Sequence, residues 1–214
     1  MVAVIFDLEL IKRFRKGQPS EIVEIGACKV DLDSPTIIDQ FQIYITPKRG
    51  HISKSTRKFI KMKAEDVENA VPFETGIRLF REWLGEEHYY LCSWGKDDRA
   101  HFINQSVQQK LDLDWLKNYN DIQPPIGKLL SENVNGQLGL KKALNIAGIE
   151  LTGVAHRGID DALNTAALFI KFLDQINLEE NTLSEKEIQN HYKKYKRSRF
   201  RHLDRPKKQA PHEK

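Results

Sequence analysis

An apolar run that stops on two acids opens the chain. Val2, Ala3, Val4, Ile5 and Phe6 lead into Asp7-Leu8-Glu9-Leu10. Val and Ile suit a strand buried on both faces. Side chains along a strand alternate with period two, so Asp7 and Glu9 share one face and Leu8 turns to the other. A second strand is predicted over Ile22 to Val30. A third is predicted over Ile37 to Ile45, where Phe41, Ile43 and Ile45 alternate with Gln40, Gln42 and Tyr44. Between the first two, Ile11 to Ser20 is basic and turn-rich and reads as a loop. Three strands with short links predict an antiparallel meander at the start of a mixed sheet.

Helical periodicity follows. Ser53 to Met62 carries Phe59, Ile60 and Met62 as anchors, and Phe73 to Leu84 is bounded by Pro72 and Gly85. Tyr89 to Trp94 reads as a strand, and a helix opens at Lys96-Asp97-Asp98-Arg99 and runs to about Leu111. Trp115 to Tyr119 reads as a short strand, and Ile126 to Leu130 and Leu138 to Ala147 as helices. Gly148 takes the left-handed C-cap position of the latter. A helix from Asp160 to Ile176 buries Ala162, Ala166, Phe169, Ile170 and Leu173. Ser184 to Arg199 forms the final helix. The class is α/β, with a mixed five-stranded sheet flanked by helices. The expected organisation is one domain over residues 1–180 and a basic helix and tail over 181–214.

Composition changes the picture in two places. Net charge is +4, but residues 191–214 hold ten Lys or Arg against two acids, leaving 24 basic and 28 acidic residues before them. The high isoelectric point therefore belongs to the tail, which is either a phosphate-collecting arm or a solvated extension. The two cysteines, Cys28 and Cys92, make no CxxC or zinc spacing. With no signal peptide and no apolar run near the length of a membrane span, the reading is a cytoplasmic protein with no membrane contact.

The candidate chemistry starts at Asp7 and Glu9. Two like charges about 4 Å apart repel by roughly 4 kcal/mol at an effective dielectric near 20. Either one acid stays protonated or cations sit between them, which makes Asp-x-Glu a candidate site for hard, oxygen-seeking Mg²⁺ or Mn²⁺. A strand end that frays into water is the competing explanation. Asp97 and Asp98 at a helix start are explained by the helix dipole alone. His156, with four residues between it and Asp161, is, alone, more often structural than catalytic. Gly148-x-x-x-x-Gly153 is followed by Val154-Ala155 and is no phosphate-binding loop. No Gly-x-Ser-x-Gly or His-Glu-x-x-His is present.

Taken together, these groups form a recognisable set. Phe6-Asp7-Leu8-Glu9, Ser93-Trp94-Gly95-Lys96-Asp97-Asp98 and Ala155-His156-Arg157-Gly158-Ile159-Asp160-Asp161-Ala162-Leu163-Asn164-Thr165-Ala166 resemble the three motifs of the DEDDh 3′–5′ exonucleases, the proofreading-exonuclease and RNase T-like superfamily. Ser-Trp-Gly and the Glu-Ile-Val-Glu-Ile-Gly-Ala strand are most similar to the stand-alone bacterial KapD group and the enhancer-of-RNAi exonucleases. The resemblance covers about residues 2–176 and implies a ribonuclease H-like fold. It implies that Asp7, Glu9, Asp98 and Asp161 hold two Mg²⁺ or Mn²⁺ ions and that His156 is the general base. It implies a single-stranded nucleic acid with a free 3′ end as partner and nucleoside 5′-monophosphates as products. Asp97 and Asp160 are read as capping or outer groups. Leu8, Leu10 and Trp94 are the expected contacts to the terminal nucleotide, with Leu10-Ile11 standing where many relatives have a Thr. RNA and DNA remain equal candidates, since discrimination rests on the 2′-hydroxyl. The alternative is a catalytically silent nucleic-acid-binding or regulatory module on the same fold, like a sporulation inhibitor.

Overall fold

The computed structural model describes residues 1–11, 20–48, 52–131 and 137–203, with backbone alone for 194, 195 and 197–203. Most of the basic loop expected after the first strand, and the tail from Asp204 onward, lie outside the described residues. Six strands form one sheet. They are β1 (Val2–Leu10), β2 (Ile22–Asp31), β3 (Thr36–Thr46), β4 (Val71–Pro72), β5 (Tyr89–Ser93) and β6 (Tyr119–Asp121), in the order β4-β3-β2-β1-β5-β6. β1, β2 and β3 pair antiparallel and the other neighbours pair parallel.

The sheet therefore has six strands where five were expected. The addition, β4, is two residues long and pairs with Ile45 and Thr46 at the end of β3. So short an element leaves no alternation to read. The strand expected over Trp115 to Tyr119 begins only at Tyr119. Trp115 and Leu116 are buried for another reason. Trp115 stands edge-on to Phe80 and Phe102, at ring separations of 5.7 and 5.1 Å, so its apolar character serves the core and not a strand.

The helices are α1 (Lys54–Phe59), α2 (Ala64–Glu68), α3 (Phe73–Leu84), α4 (Asp97–Gln109), α5 (Gln123–Leu130), α6 (Leu140–Ala147), α7 (Gly158–Phe172) and α8 (Glu185–Leu203). α3 occupies the expected span between Pro72 and Gly85, and α6 closes on Gly148 at φ 65°. The five-residue α2 was not expected and buries none of its residues. No helix among the described residues is long and apolar enough to cross a membrane.

Strand alternation divides the core. Val2, Val4, Phe6 and Leu8 of β1 join Phe73, Ile77, Phe80, Phe102 and Ile103 of α3 and α4. Ala3 and Ile5 join Ile126, Ala143, Leu144, Ala166 and Phe169 of α5, α6 and α7. Asp7 and Glu9 continue this second face. α8 lies against α4, where Arg99 pairs with Glu187 and the His191 ring meets the Asn104 side chain at 2.8 Å. Leu183 and Ile188 pack on the first core cluster.

One contact sets how α7 meets the sheet. Gly26 is the register partner of Asp7, and a Cβ there would collide with the backbone of Gly158 and Ile159. A Cβ on Gly158 would lie 3.2 Å from the Asp7 carbonyl oxygen and 3.3 Å from the Gly26 nitrogen. The two glycines let helix backbone rest on strand backbone. Gly26→Val is expected to force α7 off the sheet, at about 2–3 kcal/mol and a fall of roughly 5–10 °C in Tm. A thermal melt with the parent Tm would show that the helix start is not held by this contact.

Candidate active site

β1 outruns its parallel neighbour. Its pairing with β5 ends at Ile5 and Cys92, whereas its pairing with β2 continues to Leu10. One edge of Phe6–Leu10 is thus left open at the carboxyl end of the strand. β1 is also where the strand order reverses, the usual place for a ligand crevice in open α/β sheets.

Two helix starts fill that edge. The Leu8 main chain, freed from sheet pairing on this side, lies beside the Asp98 carboxylate in the first turn of α4 and favours its charged form. α7, seated on Gly26, brings Asp161 from its own first turn. Glu9, His156 and Asp161 each offer a ligand atom within 4.8 Å of the others. The His156 N–H donates to Asp161 Oδ2 at 2.9 Å. Asp7, His156 and Asp161 line one cleft of about 720 Å³, walled by Trp94, Leu151 and the first turn of α6. All five residues singled out in the sequence therefore meet at one end of the sheet.

The electrostatics follow from four acids with little water between them. Burial pushes the Asp7 carboxyl well up, and Asp98, Asp161 and Glu9 repel its charge further. Burial, then Glu24 and Asp161, push Glu9 up to about 8. Burial, then Asp97, push Asp98 up to about 7, opposed by the Leu8 main chain. Asp161 is raised by burial, and the His156 N–H holds it down in part. Without cations, the cluster favours protons over charge. An all-carboxylate set beside one imidazole fits hard divalent ions, so the residues present suit the expected metals.

The flanking residues divide. Trp94 forms a wall of the cleft, fixed by its Nε1–H donating to the Leu138 carbonyl at 2.8 Å. Leu8 is 6% exposed and packs into the first core cluster, so it meets the site through its main chain. Leu10 is half-buried against the same cluster. Asp160 accepts from the Val154 N–H at 2.9 Å and braces the loop before α7. Asp97 is exposed on the first turn of α4.

Two neighbours of the site escaped the sequence reading. Phe59 of α1 stacks on the His156 ring at 4.4 Å and 24°, across nearly a hundred residues that no local pattern connects. Glu24 is 0% exposed and is the register partner of Glu9. A glutamate inside an otherwise apolar strand was the available signal.

Comparisons with known proteins agree with this geometry. The exonuclease family model matches residues 4–169. The probable 3′-5′ exonuclease KapD of Bacillus subtilis (strain 168) is 25% identical over 177 residues, covering 80% of this chain and 84% of that protein. A PolC-type DNA polymerase III of Thermotoga petrophila is 25% identical over 159 residues, which are 74% of this chain but only 11% of the polymerase. In fold, the chain resembles the nuclease domain of 3′hExo, a DEDDh family member solved with rAMP. That match has a TM-score of 0.75 at 22% identity and covers 86% of this chain and 97% of that one. With its three motifs brought to one cleft and the family model spanning most of its length, the chain belongs to the exonuclease family.

Proposed function

We propose that the chain shortens single-stranded nucleic acid from its 3′ end, hydrolysing one phosphodiester bond at a time to release nucleoside 5′-monophosphates. The observation that carries this reading is that Glu9, His156 and Asp161 lie within ligand distance of one another, with Asp7 lining the same cleft as His156 and Asp161 and the Asp98 charge felt at Asp7. KapD and 3′hExo, exonucleases by name, lend support through sequence and fold. One relative is a DNA polymerase and one fold neighbour was solved with rAMP, so both sugars belong in the assay.

Asp7, Glu9 and Asp161 would hold one divalent ion, Mg²⁺ or Mn²⁺. Asp7 would reach toward a second, with Asp98 beside it. Bound there, two ions stabilise both the attacking and the leaving oxygen of an in-line displacement. His156 takes the proton from the attacking water. Its ring is exposed to solvent and stacks on Phe59, while its main-chain N–H donates to the Asp161 carboxylate. Imidazole is the side chain most often used to take a proton in such a step. Trp94 offers a flat apolar surface to a base. Leu10 is assigned to the terminal nucleotide, and Leu8 to the same region through its main chain. Two free, buried cysteines, Cys28 and Cys92, suit a reducing cytoplasm.

The deciding assay is release of label from 3′-tagged single-stranded RNA and DNA. Release is expected with Mg²⁺ or Mn²⁺ and not with chelator, and Asp7→Ala is expected to lower it by more than about 100-fold. A silent binding module would retain the oligonucleotide uncut, which defeats the proposal.

His156→Ala is expected to lower kcat by about 10²–10⁴-fold, with calorimetric Mn²⁺ binding preserved. Cleavage at the parent rate would remove His156 as the base.

The raised carboxyl groups also fix a pH dependence. In the metal-free protein their folded pKa values lie above the unfolded ones, near 4. Folding is therefore penalised as pH climbs from about 4 toward the values near 7 and 8 of Asp98 and Glu9. Saturating Mn²⁺ is expected to raise Tm clearly at pH 8 and far less at pH 5. Equal shifts at both pH values would mean that the ion binds elsewhere.

A further inference from the structure

The start of α7 carries Asp161, follows directly on His156, and has no cap of its own. Arg157, its N-cap residue, makes no side-chain cap hydrogen bond. The first N–H groups of a helix have no partner inside it. Here the Ile159 N–H is met by Glu24, from the β2 strand, with the Gly158 main chain beside it. The Ile159 N–H reaches Glu24 Oε1 at 3.3 Å. The same oxygen accepts from Gln42 Nε2 at 2.8 Å, and Gln42 Nε2 also reaches Tyr44 Oη at 3.1 Å. Gly158 leaves the room for this approach, since a Cβ there would come within 3.4 Å of Glu24 Cδ.

Glu24 is an expensive residue for this position. It is 0% exposed, and its Oε2 has no hydrogen-bond partner. Its register partner is Glu9, which places a like charge directly opposite. Strand β2 is otherwise nearly all buried and apolar here, so packing alone favours an aliphatic side chain. A buried carboxylate that stays in such a place needs a compensating contact. The Gln42 amide is the shortest such contact, and the Ile159 N–H at the helix start and the Arg157 charge add to it.

We propose that Glu24 is a positioning residue for the exonuclease reaction: by capping α7 from the neighbouring strand, it fixes the helix start over Asp7, so that Asp161 and His156 meet Glu9. The inference rests on the exonuclease reading for its consequence and on the hydrogen bonds of Glu24 for its mechanism. Gly26 sets how closely the helix approaches, and Glu24 sets where along the strand it stops.

The test uses the full chain with Glu24→Ala and Glu24→Gln. Glutamine keeps an acceptor for the Ile159 N–H; alanine removes it. In metal-free Glu24→Ala, hydrogen exchange at the Gly158 and Ile159 amides is expected to quicken by about tenfold or more. Mn²⁺ affinity by calorimetry is expected to weaken by roughly 10–100-fold. On a 3′-labelled oligonucleotide, kcat should fall by a similar factor with KM within about threefold, and Glu24→Gln should stay close to the parent in all four readouts. Leu84→Ala, a core change at the C-terminal end of α3, is expected to lower Tm while leaving Mn²⁺ affinity unchanged. Parent-like exchange and Mn²⁺ affinity in Glu24→Ala overturn the proposal, as does Glu24→Gln failing as badly as Glu24→Ala. Where Glu24→Ala does not fold, Gln42→Leu removes the amide that orients Oε1 and should show the same changes at about 3–10-fold; parent values there overturn it equally. An inactive parent would defeat the exonuclease reading, while exchange and Mn²⁺ binding would still judge Glu24.

Discussion

Mutual repulsion among four carboxylates is the constraint around which this molecule is arranged. Asp7 and Glu9 share a strand face because of the two-residue period, and Asp98 and Asp161 arrive from two helices that have nothing else in common. Left to themselves, such groups move apart. Each is instead held by backbone. Asp98 lies beside the Leu8 main chain, Asp161 accepts from the His156 main-chain N–H, and α7 rests on the strand at Gly26. The cost appears as carboxyl groups that hold protons unusually tightly. A fold that spends stability in this way keeps a place where cations are worth more than protons.

The order of strands makes this place. β1 pairs with β2 along its whole length and with β5 only as far as Ile5. Had β5 run on beside Phe6–Leu10, it would occupy the strand edge that the first turn of α4 now faces. The early end of β5 at Ser93 is fixed by a compact turn. There the Ser93 hydroxyl donates to the Gly95 carbonyl at 2.7 Å, Gly95 sits at φ 101°, and its N–H donates to Asp121 at 3.0 Å. Ser-Trp-Gly is thus a device for stopping a strand and starting a helix one turn before an acid is needed.

Much of this was legible in the chain, for reasons that can be named. Alternation in Val2–Leu10 put Asp7 and Glu9 on one face before any fold was known. Pro72 and Gly85 bounded α3, and the third motif marked the start of α7 within a few residues. What stayed hidden depends on partners far along the chain. Phe59 is an ordinary helix anchor until His156 is laid against it. Glu24 is an odd residue in a strand until the register shows Glu9 beside it and the α7 amides above it. Two elements, α2 and β4, were too short to carry a period. Trp115 was misread because burial beneath a turn and burial in a strand leave the same apolar signature.

The division of labour in the cleft follows from what each group must do. Glu9 is 8% exposed and sits inside a strand, where its position costs no further ordering. His156 is exposed, lies on the loop before α7, and adopts φ 66°, a left-handed backbone that disfavours a side chain by about 1–2 kcal/mol. A group that must meet water and let a product leave cannot be buried as Glu9 is. Its order has to come from individual contacts. The N–H to Asp161 at 2.9 Å and the stacked Phe59 ring supply these, and each is of the size needed to offset the backbone cost. Because the first of these contacts ends on a carboxylate of the site itself, the loop and the metal ligands are ordered by the same bond. The backbone that carries the imidazole is thus ordered together with Asp161, and Asp161 takes its place from α7, which is seated on the strand beside the one that carries Asp7 and Glu9.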